Sequence, residues 1–220
     1  MKSGIILQQA MSNDEYTDML RLTHMRHTAY ARAWDFDFWA IYSDILSNMP
    51  QHRLGGWGKI ELIRMALVAG YPYVVWLDAD AAVLDFNVDL RDALKDGGLI
   101  GACKHDAPWF KDANMPVHIN SGVMYFKNDP RTLEFVNAWA ETREEAIQVR
   151  FLEQGAFNRM IEKPEWAGVF SEIPARWNAT VRVNEAKDEV VRGWHGVFPL
   201  PTRMQMMRQA LCDDWYKYRV

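Results

Sequence analysis

The chain has 220 residues, 49% apolar and 25% charged, with a net charge of −4 at pH 7 and a sequence pI of about 5.9. That length suits one domain able to bury roughly 70% of its unfolded surface, and an acidic chain without a basic stripe is not expected to bind nucleic acid. Two cysteines, Cys103 and Cys212, without Cys-x-x-Cys spacing exclude a disulfide framework and a zinc site of the usual pattern.

Residues 4–10 read as a first strand. Its apolar start runs into Gln8-Gln9, so no signal-peptide core forms, and Gln8-Gln9-Ala10-Met11 stands where a Gly-rich phosphate loop would follow a first strand. Ser12 caps a helix, with Glu15 completing a capping box, and Tyr16, Met19, Leu20, Thr23, His27, Tyr30, Ala31 and Trp34 form its apolar stripe. A second strand is expected at 36–42. Gly55-Gly56-Trp57-Gly58 makes a loop before a helix at 59–69, which Gly70 ends. The third strand, 71–77, delivers Asp78-Ala79-Asp80. Strands follow at 99–104 and 123–127. Asp129-Pro130 opens a helix to about residue 149, a short helix covers 153–161, late strands lie at 169–173 and 190–194, and an amphipathic helix spans 202–218. Strand and helix alternate, which predicts an α/β fold: one domain, 1–220, with a mixed, mostly parallel sheet flanked by helices. Most of the ten Trp read as core. No apolar run approaches the ~20 residues that span a bilayer. A cytoplasmic protein is expected, with peripheral membrane contact left open, so the Asn178-Ala179-Thr180 sequon reads as unused.

Chemistry concentrates at residues 77–80. Side chains two apart on a strand share a face, so Asp78 and Asp80 should stand together at the carboxyl edge of the sheet, where such sheets bind ligands. Two carboxylates aimed at one spot repel unless a cation sits between them, and a divalent cation can also hold a diphosphate. With 17 Asp in 220 residues, chance supplies about one Asp-x-Asp pair. The second pair, Asp35-Phe36-Asp37, is therefore a control; it lies before the apolar run 38–42, at the amino edge of its strand, and reads as solvated turn chemistry. The expectation is a metal-dependent enzyme acting on a nucleotide diphosphate, foremost a nucleotide sugar.

Six fragments stand in a telling order: Trp57-Gly58-Lys59-Ile60-Glu61-Leu62-Ile63-Arg64, Trp76-Leu77-Asp78-Ala79-Asp80, Asn120-Ser121-Gly122-Val123-Met124-Tyr125-Phe126, Glu153-Gln154-Gly155-Ala156, Arg176-Trp177-Asn178 and Trp194-His195-Gly196. Together they resemble a GT-A-type glycosyltransferase over nearly the whole chain. The likeness is to the galactosyl-, mannosyl- and xylosyltransferases grouped with fungal α-galactosyltransferases and plant xyloglucan xylosyltransferases, and more distantly to glycogenin-like transferases.

The resemblance implies that Mn²⁺ or Mg²⁺, held by Asp78, Asp80 and His195, bridges the phosphates of a UDP-sugar. Asp80 is the firmer ligand; Asp78 shares the metal or the ribose. Oxygen ligands with one imidazole suit Mn²⁺ better than Ca²⁺. Glycogenin-like transferases carry a lysine soon after the histidine. Here the run is His195-Gly196-Val197-Phe198-Pro199-Leu200-Pro201-Thr202-Arg203, which leaves Arg203 or Arg192 to supply the charge on the diphosphate. Lys59 and Arg64 form a solvated helical face, or one of them touches the nucleotide. Asn120 should hydrogen-bond the donor sugar, with Gly122 letting backbone approach a ligand. Glu153 and Gln154 should lie near the anomeric carbon. One helical step turns by about 100°, so only one should face the site squarely: Gln154 positions the sugar, and Glu153 anchors it or lies close to the reacting face. Arg176-Trp177-Asn178 lines the acceptor side. Residues 105–118 form a loop over the acceptor with Trp109 as a stacking platform, or a plain surface loop.

The implied division is a nucleotide-binding half, about 1–104, and a donor-sugar and acceptor half, about 105–220. The implied activity is transfer of a hexosyl or pentosyl group to a carbohydrate or other hydroxyl acceptor, with retention. One rival is a haloacid-dehalogenase-type phosphatase, whose Asp-x-Asp lies on the first strand and continues with Thr or Val where Ala82 stands. Another is a non-catalytic module of the same fold that binds nucleotide sugars.

Overall fold

The computed structural model describes residues 2–10, 14–43, 45, 56–105, 118–143, 152–181 and 183–215. The chain runs β1 (Gly4–Gln9), α1 (Asp14–Ala33), β2 (Phe36–Ile41), α2 (Trp57–Val68), β3 (Tyr73–Asp78), β4 (Ala81–Val83), β5 (Ile100–Lys104) and β6 (Ile119–Lys127). Then come α3 (Pro130–Glu141), α4 (Leu152–Met160), β7 (Phe170–Glu172), β8 (Ala179–Thr180), β9 (Val191–Gly193) and α5 (Leu200–Trp215). The Ser12 cap, Gly55, the interior of the 105–118 loop with Trp109, the helix beyond 143 and residues 216–218 lie outside the described residues.

Six strands form one sheet in the order β2-β1-β3-β6-β5-β7. β1 is parallel to both β2 and β3, as the strand–helix alternation predicts. β6 runs antiparallel to β3 and to β5, and β7 is parallel to β5, so the sheet is mixed. A second, small sheet has the order β4-β9-β8; β9 matches the strand expected at 190–194, whereas β4, β8 and their pairing have no counterpart in the predicted elements. β4 and β8 are three and two residues long, too short for periodicity to register.

Local signals held where they were geometric. Gly70 adopts φ +86° just past α2. The Tyr71 amide reaches back to the Ala66 carbonyl (3.2 Å) and the Gly70 amide to the Leu67 carbonyl (3.0 Å), a Schellman closure. Asp129 caps α3 by accepting from the Arg131 amide at 2.9 Å, with Pro130 in the first turn.

Both faces of the large sheet are covered. On one, Ile60 and Ile63 of α2, Phe135 and Trp139 of α3 and Phe157 of α4 pack on Ile5, Val74, Trp76 and Phe126. On the other, Tyr30 and Ala31 of α1 meet Ile6, Val75, Leu77 and Tyr125. A third cluster joins Met19 and Leu20 of α1 to Met207 and Leu211 of α5 around Ala79, Ala82 and Trp194. Trp57, Trp76, Trp139, Trp166, Trp177 and Trp194 are all buried, as expected of a core role.

His27 of α1 sits in this interior, fully buried. It donates from Nδ1 to Gln8 Oε1 (2.9 Å) and accepts at Nε2 from the Val83 amide (3.2 Å). Burial, and then the charge of Arg26, push its pKa down to about 3. The folded protein therefore holds this ring neutral while the unfolded chain takes up a proton below about pH 6.5. The stability His27 permits is complete above that pH and falls as pH drops toward 3. Between pH 7 and pH 5 the loss should be about 2 kcal/mol, read as a lower urea midpoint, and His27→Gln should remove that part of the slope.

Candidate active site

β3 stops at Asp78, and Ala79-Asp80 form a turn before β4. This corrects the expected shared face: strand alternation no longer governs Asp80, and the two carboxylates face different partners. Asp78 Oδ1 accepts from Trp76 Nε1 (2.7 Å) and lies 3.2 Å from Lys59 Nζ. Asp80 is buried, with Oδ2 2.7 Å from Arg203 Nη1. Burial alone would raise the Asp80 pKa. The nearby His195 and the Arg203 guanidinium outweigh it and hold the carboxyl below the ordinary range.

The small sheet brings His195 to the turn. Ala81 of β4 pairs with Gly193 of β9, and the Trp194 amide donates to the Asp80 carbonyl at 2.9 Å. His195 Nδ1 then lies 3.6 Å from Asp80 Oδ1, buried and without a hydrogen-bond partner. Nε2 faces Thr180 Oγ1 (3.1 Å) and Asn178 Oδ1 (3.2 Å), and the ring stacks on His105 with centroids 5.5 Å apart. Two glycines make the space. A Cβ on Gly193 would lie 2.0 Å from the His195 ring. One on Gly122 would lie 2.9 Å from His195 Cε1 and 3.1 Å from Asp78 Oδ2. Gly122 thus admits the histidine and the first aspartate side by side, where backbone approach to a ligand was expected.

Lys59 corrects both of its sequence readings. It is neither a solvated face nor open to a ligand: it is 3% exposed, 3.2 Å from Asp78 Oδ1 and 3.2 Å from Glu153 Oε1, and it donates to the Ser121 carbonyl at 3.1 Å. Burial works against its charge, but the two carboxylates prevail and raise its pKa. Arg64 is half-exposed on the same helix, paired with Glu61 at 2.8 Å, and does not line the cavity. Arg203, expected at the diphosphate, is instead buried against Asp80 and the Val197 carbonyl (3.0 Å). Arg192 pairs with Glu189 and Arg176 with Asp188. The control pair behaves as expected: Asp35 pairs with Lys2 and Asp37 accepts from Tyr71, away from the cavity.

Asn120, Ser121 and Gly122 lie inside β6, which begins four residues earlier than predicted. Asn120 Oδ1 accepts from the Gly122 amide and from Asn178 Nδ2, both at 2.9 Å. Gln154 Oε1 accepts from the Ser121 amide at 3.0 Å, and its Nε2 lies 3.2 Å from His118 Nε2. Glu153 and Gln154 both line one cavity of about 940 Å³, so the expectation that only one would face it is also corrected. Their helix begins at Leu152 with φ +48°, a strained start for a leucine.

Asp78, Asn120, Ser121, Thr180 and His195 complete the polar end of that cavity, and Val181, Val197, Phe198 and Met206 its apolar end. Among the described residues, no lysine or arginine lines it, and no three His, Cys, Asp or Glu side chains are gathered closely enough to hold an ion as they stand. The sequence reading missed His105, His118 and Thr180 as site residues. His105 and His118 bounded the predicted loop, and the His105 amide closes it on the His118 carbonyl at 2.8 Å. Burial, then the charges of His195 and His118, push the His105 pKa down to about 2, so it is a neutral ring. No helix among the described residues is long and apolar enough to cross a membrane.

Removing the Lys59 ammonium would leave the buried Glu153 carboxylate and the partly exposed Asp78 carboxylate facing each other without a counter-charge. Lys59→Met should cost about 3 kcal/mol of stability by urea denaturation, and Glu153→Gln in that background should recover part of the loss, a coupling that a double-mutant cycle measures.

Residues 19–214 match the profile of the family described as nucleotide-diphospho-sugar transferase. No curated protein matches the chain. Among solved structures, a glycosyltransferase involved in glycosylating the major capsid of PBCV-1 superposes with a TM-score of 0.71 at 20% identity, covering 94% of this chain and 99% of that one. The galactosyltransferase LgtC, in complex with donor and acceptor sugar analogs, gives 0.57 at 14% identity, with 95% of each chain covered. Mouse xyloside xylosyltransferase 1 gives 0.56 at 11%, covering 89% of this chain and 99% of that one. These likenesses establish a GT-A fold, and with the profile match over most of its length the chain belongs to the nucleotide-diphospho-sugar transferase family, enzymes that transfer a sugar from a nucleotide-sugar donor.

Proposed function

We propose that this enzyme moves a sugar from a UDP-sugar to a hydroxyl of a carbohydrate or similar acceptor, with a divalent cation and with retention. One observation carries the reading: Asp78, Asn120, Glu153, Gln154 and His195, drawn from four separate segments, meet around a single cavity. The first half of the chain supplies Asp78 and Asp80 for the nucleotide end. The second supplies the amides for the sugar.

A diphosphate entering a cavity walled by Asp78 and Glu153, with no lysine or arginine among the described residues that line it, calls for positive charge from elsewhere. The oxygens of Asp78 and Asp80 and the unpartnered buried Nδ1 of His195 have the donor chemistry for Mn²⁺ or Mg²⁺. Such a cation, when bound, neutralises charge on the departing UDP. Arg203 keeps Asp80 ionised and in place. Asn120 and Gln154 offer amide groups to sugar hydroxyls. Glu153 is engaged by Lys59, which blunts it as a nucleophile and favours an anchoring role. That supports a front-face route, in which the leaving phosphate accepts the acceptor's proton.

Thermal-shift measurements with UDP-, GDP- and dTDP-sugars test the reading. A UDP-sugar with Mn²⁺ at about 100 times its Kd should add about 2.7 kcal/mol, and EDTA should remove the gain. Asp80→Asn keeps a neutral acceptor for the buried Arg203, unlike alanine. It should remain folded while donor hydrolysis falls by about 100-fold or more; Mn²⁺-dependent turnover at the wild-type rate in this variant would refute the assignment.

A further inference from the structure

We propose that Gln8, Thr23 and His27 are positioning residues: a buried polar clamp that fixes the backbone of the 78–83 segment and so aims the acidic side chains it carries. The role of those acids rests on the function proposed above; the clamp itself rests on different contacts.

Gln8 lies on β1, opposite Leu77 of β3, and is fully buried. Its Nε2 donates to the Asp78 carbonyl (3.0 Å) and the Ala81 carbonyl (3.2 Å), the two that flank Ala79-Asp80. Its Oε1 accepts from Thr23 Oγ1 (3.0 Å) and His27 Nδ1 (2.9 Å). His27 Nε2 in turn accepts from the Val83 amide, and Arg26 Nη2 donates to the Leu84 carbonyl at 2.8 Å. Two donors and two acceptor sites at one point are what a primary amide offers. All three clamp side chains are fully buried. None of them lines the cavity.

This arrangement matters because the sheet ladder ends at Asp78. Beyond it the direction of Asp80 follows from the backbone of the turn. The Asp80 carbonyl also receives the Trp194 amide, and Ala81 pairs with Gly193, so the turn's position seats His195 as well. A shift of the turn therefore moves two acids and a histidine together. Displacements near 1 Å in a reacting constellation cost about 100-fold in rate. It also accounts for a fully buried polar side chain at Gln8 within β1, a feature the proposed reaction does not use.

The test compares Gln8→Met, Thr23→Val and Thr23→Ser in the full chain. Mn²⁺ affinity is measured by titration in the presence of UDP, UDP-sugar hydrolysis is scaled to the folded fraction, and hydrogen exchange is followed at amides 79–83. Gln8→Met should weaken Mn²⁺ binding by about 10-fold and lower the hydrolysis rate by about 10- to 100-fold per folded molecule. Thr23→Val should fall between, and Thr23→Ser, which keeps the hydroxyl, should match wild type. Wild-type Mn²⁺ affinity and rate in folded Gln8→Met and Thr23→Val would overturn the proposal, since loss of stability alone changes neither per folded molecule. If Gln8→Met does not fold, the two Thr23 variants decide. If wild type binds no Mn²⁺ with UDP, the functional reading fails, and the clamp is judged by exchange alone: faster exchange at 79–83 in Thr23→Val than in Thr23→Ser supports it, and equal rates overturn it.

Discussion

A buried ammonium between two carboxylates sets the terms for this site. Lys59 reaches from α2 to Asp78 at the end of β3 and to Glu153 on α4, and it caps the Ser121 carbonyl of β6. Each charge would be costly alone in that interior. Together they tie four elements, brought from distant parts of the chain, to one point. Asp78 and Glu153 are thereby held in fixed relation to each other.

A second pair repeats the principle on the other side of the turn. Arg203 of α5 holds Asp80 from beneath, and its Nε holds the Val197 carbonyl in the loop that follows His195. The C-terminal helix is thus attached to the acidic turn through a guanidinium, while α1 is attached to the same turn through Gln8 and His27. The turn has little structure of its own. Its geometry is imposed by side chains from both ends of the sequence.

The fold was legible where it rests on periodicity and local caps. The α1 stripe, Gly70 and Asp129-Pro130 need only their neighbours in the chain, and they appear as read. The reversed direction of β6, the short strands β4 and β8 and the pairing of the small sheet were not legible. Pairing of β4 with β9 joins residues more than a hundred positions apart, and three-residue strands carry no periodic signal. The site divides the same way. Residue type and order pointed to Asp78, Asp80, Asn120, Gln154 and His195, which do converge. The basic residues were left open between readings because charge alone does not say whether a side chain faces solvent, a ligand or a buried acid. Lys59 and Arg203 face acids, and Arg64 faces solvent and Glu61. Thr180 and His105 were silent because each acts through contact with His195, which only the folded chain creates.

Charge balance then constrains the chemistry. Asp78, Asp80 and Glu153 place three carboxylates at the site, and the two cations that touch them, Lys59 and Arg203, are both buried and committed. Among the described residues, the three carboxylates outnumber those two cations by one. His105 cannot make up the difference, since burial keeps its ring neutral. On the function proposed above, an anionic donor would meet that excess unless a cation came with it. On that reading, the species to be received would be a cation–diphosphate complex rather than the bare nucleotide sugar, and His195 Nδ1, buried without a hydrogen-bond partner 3.6 Å from Asp80 Oδ1, stands where it could meet that cation.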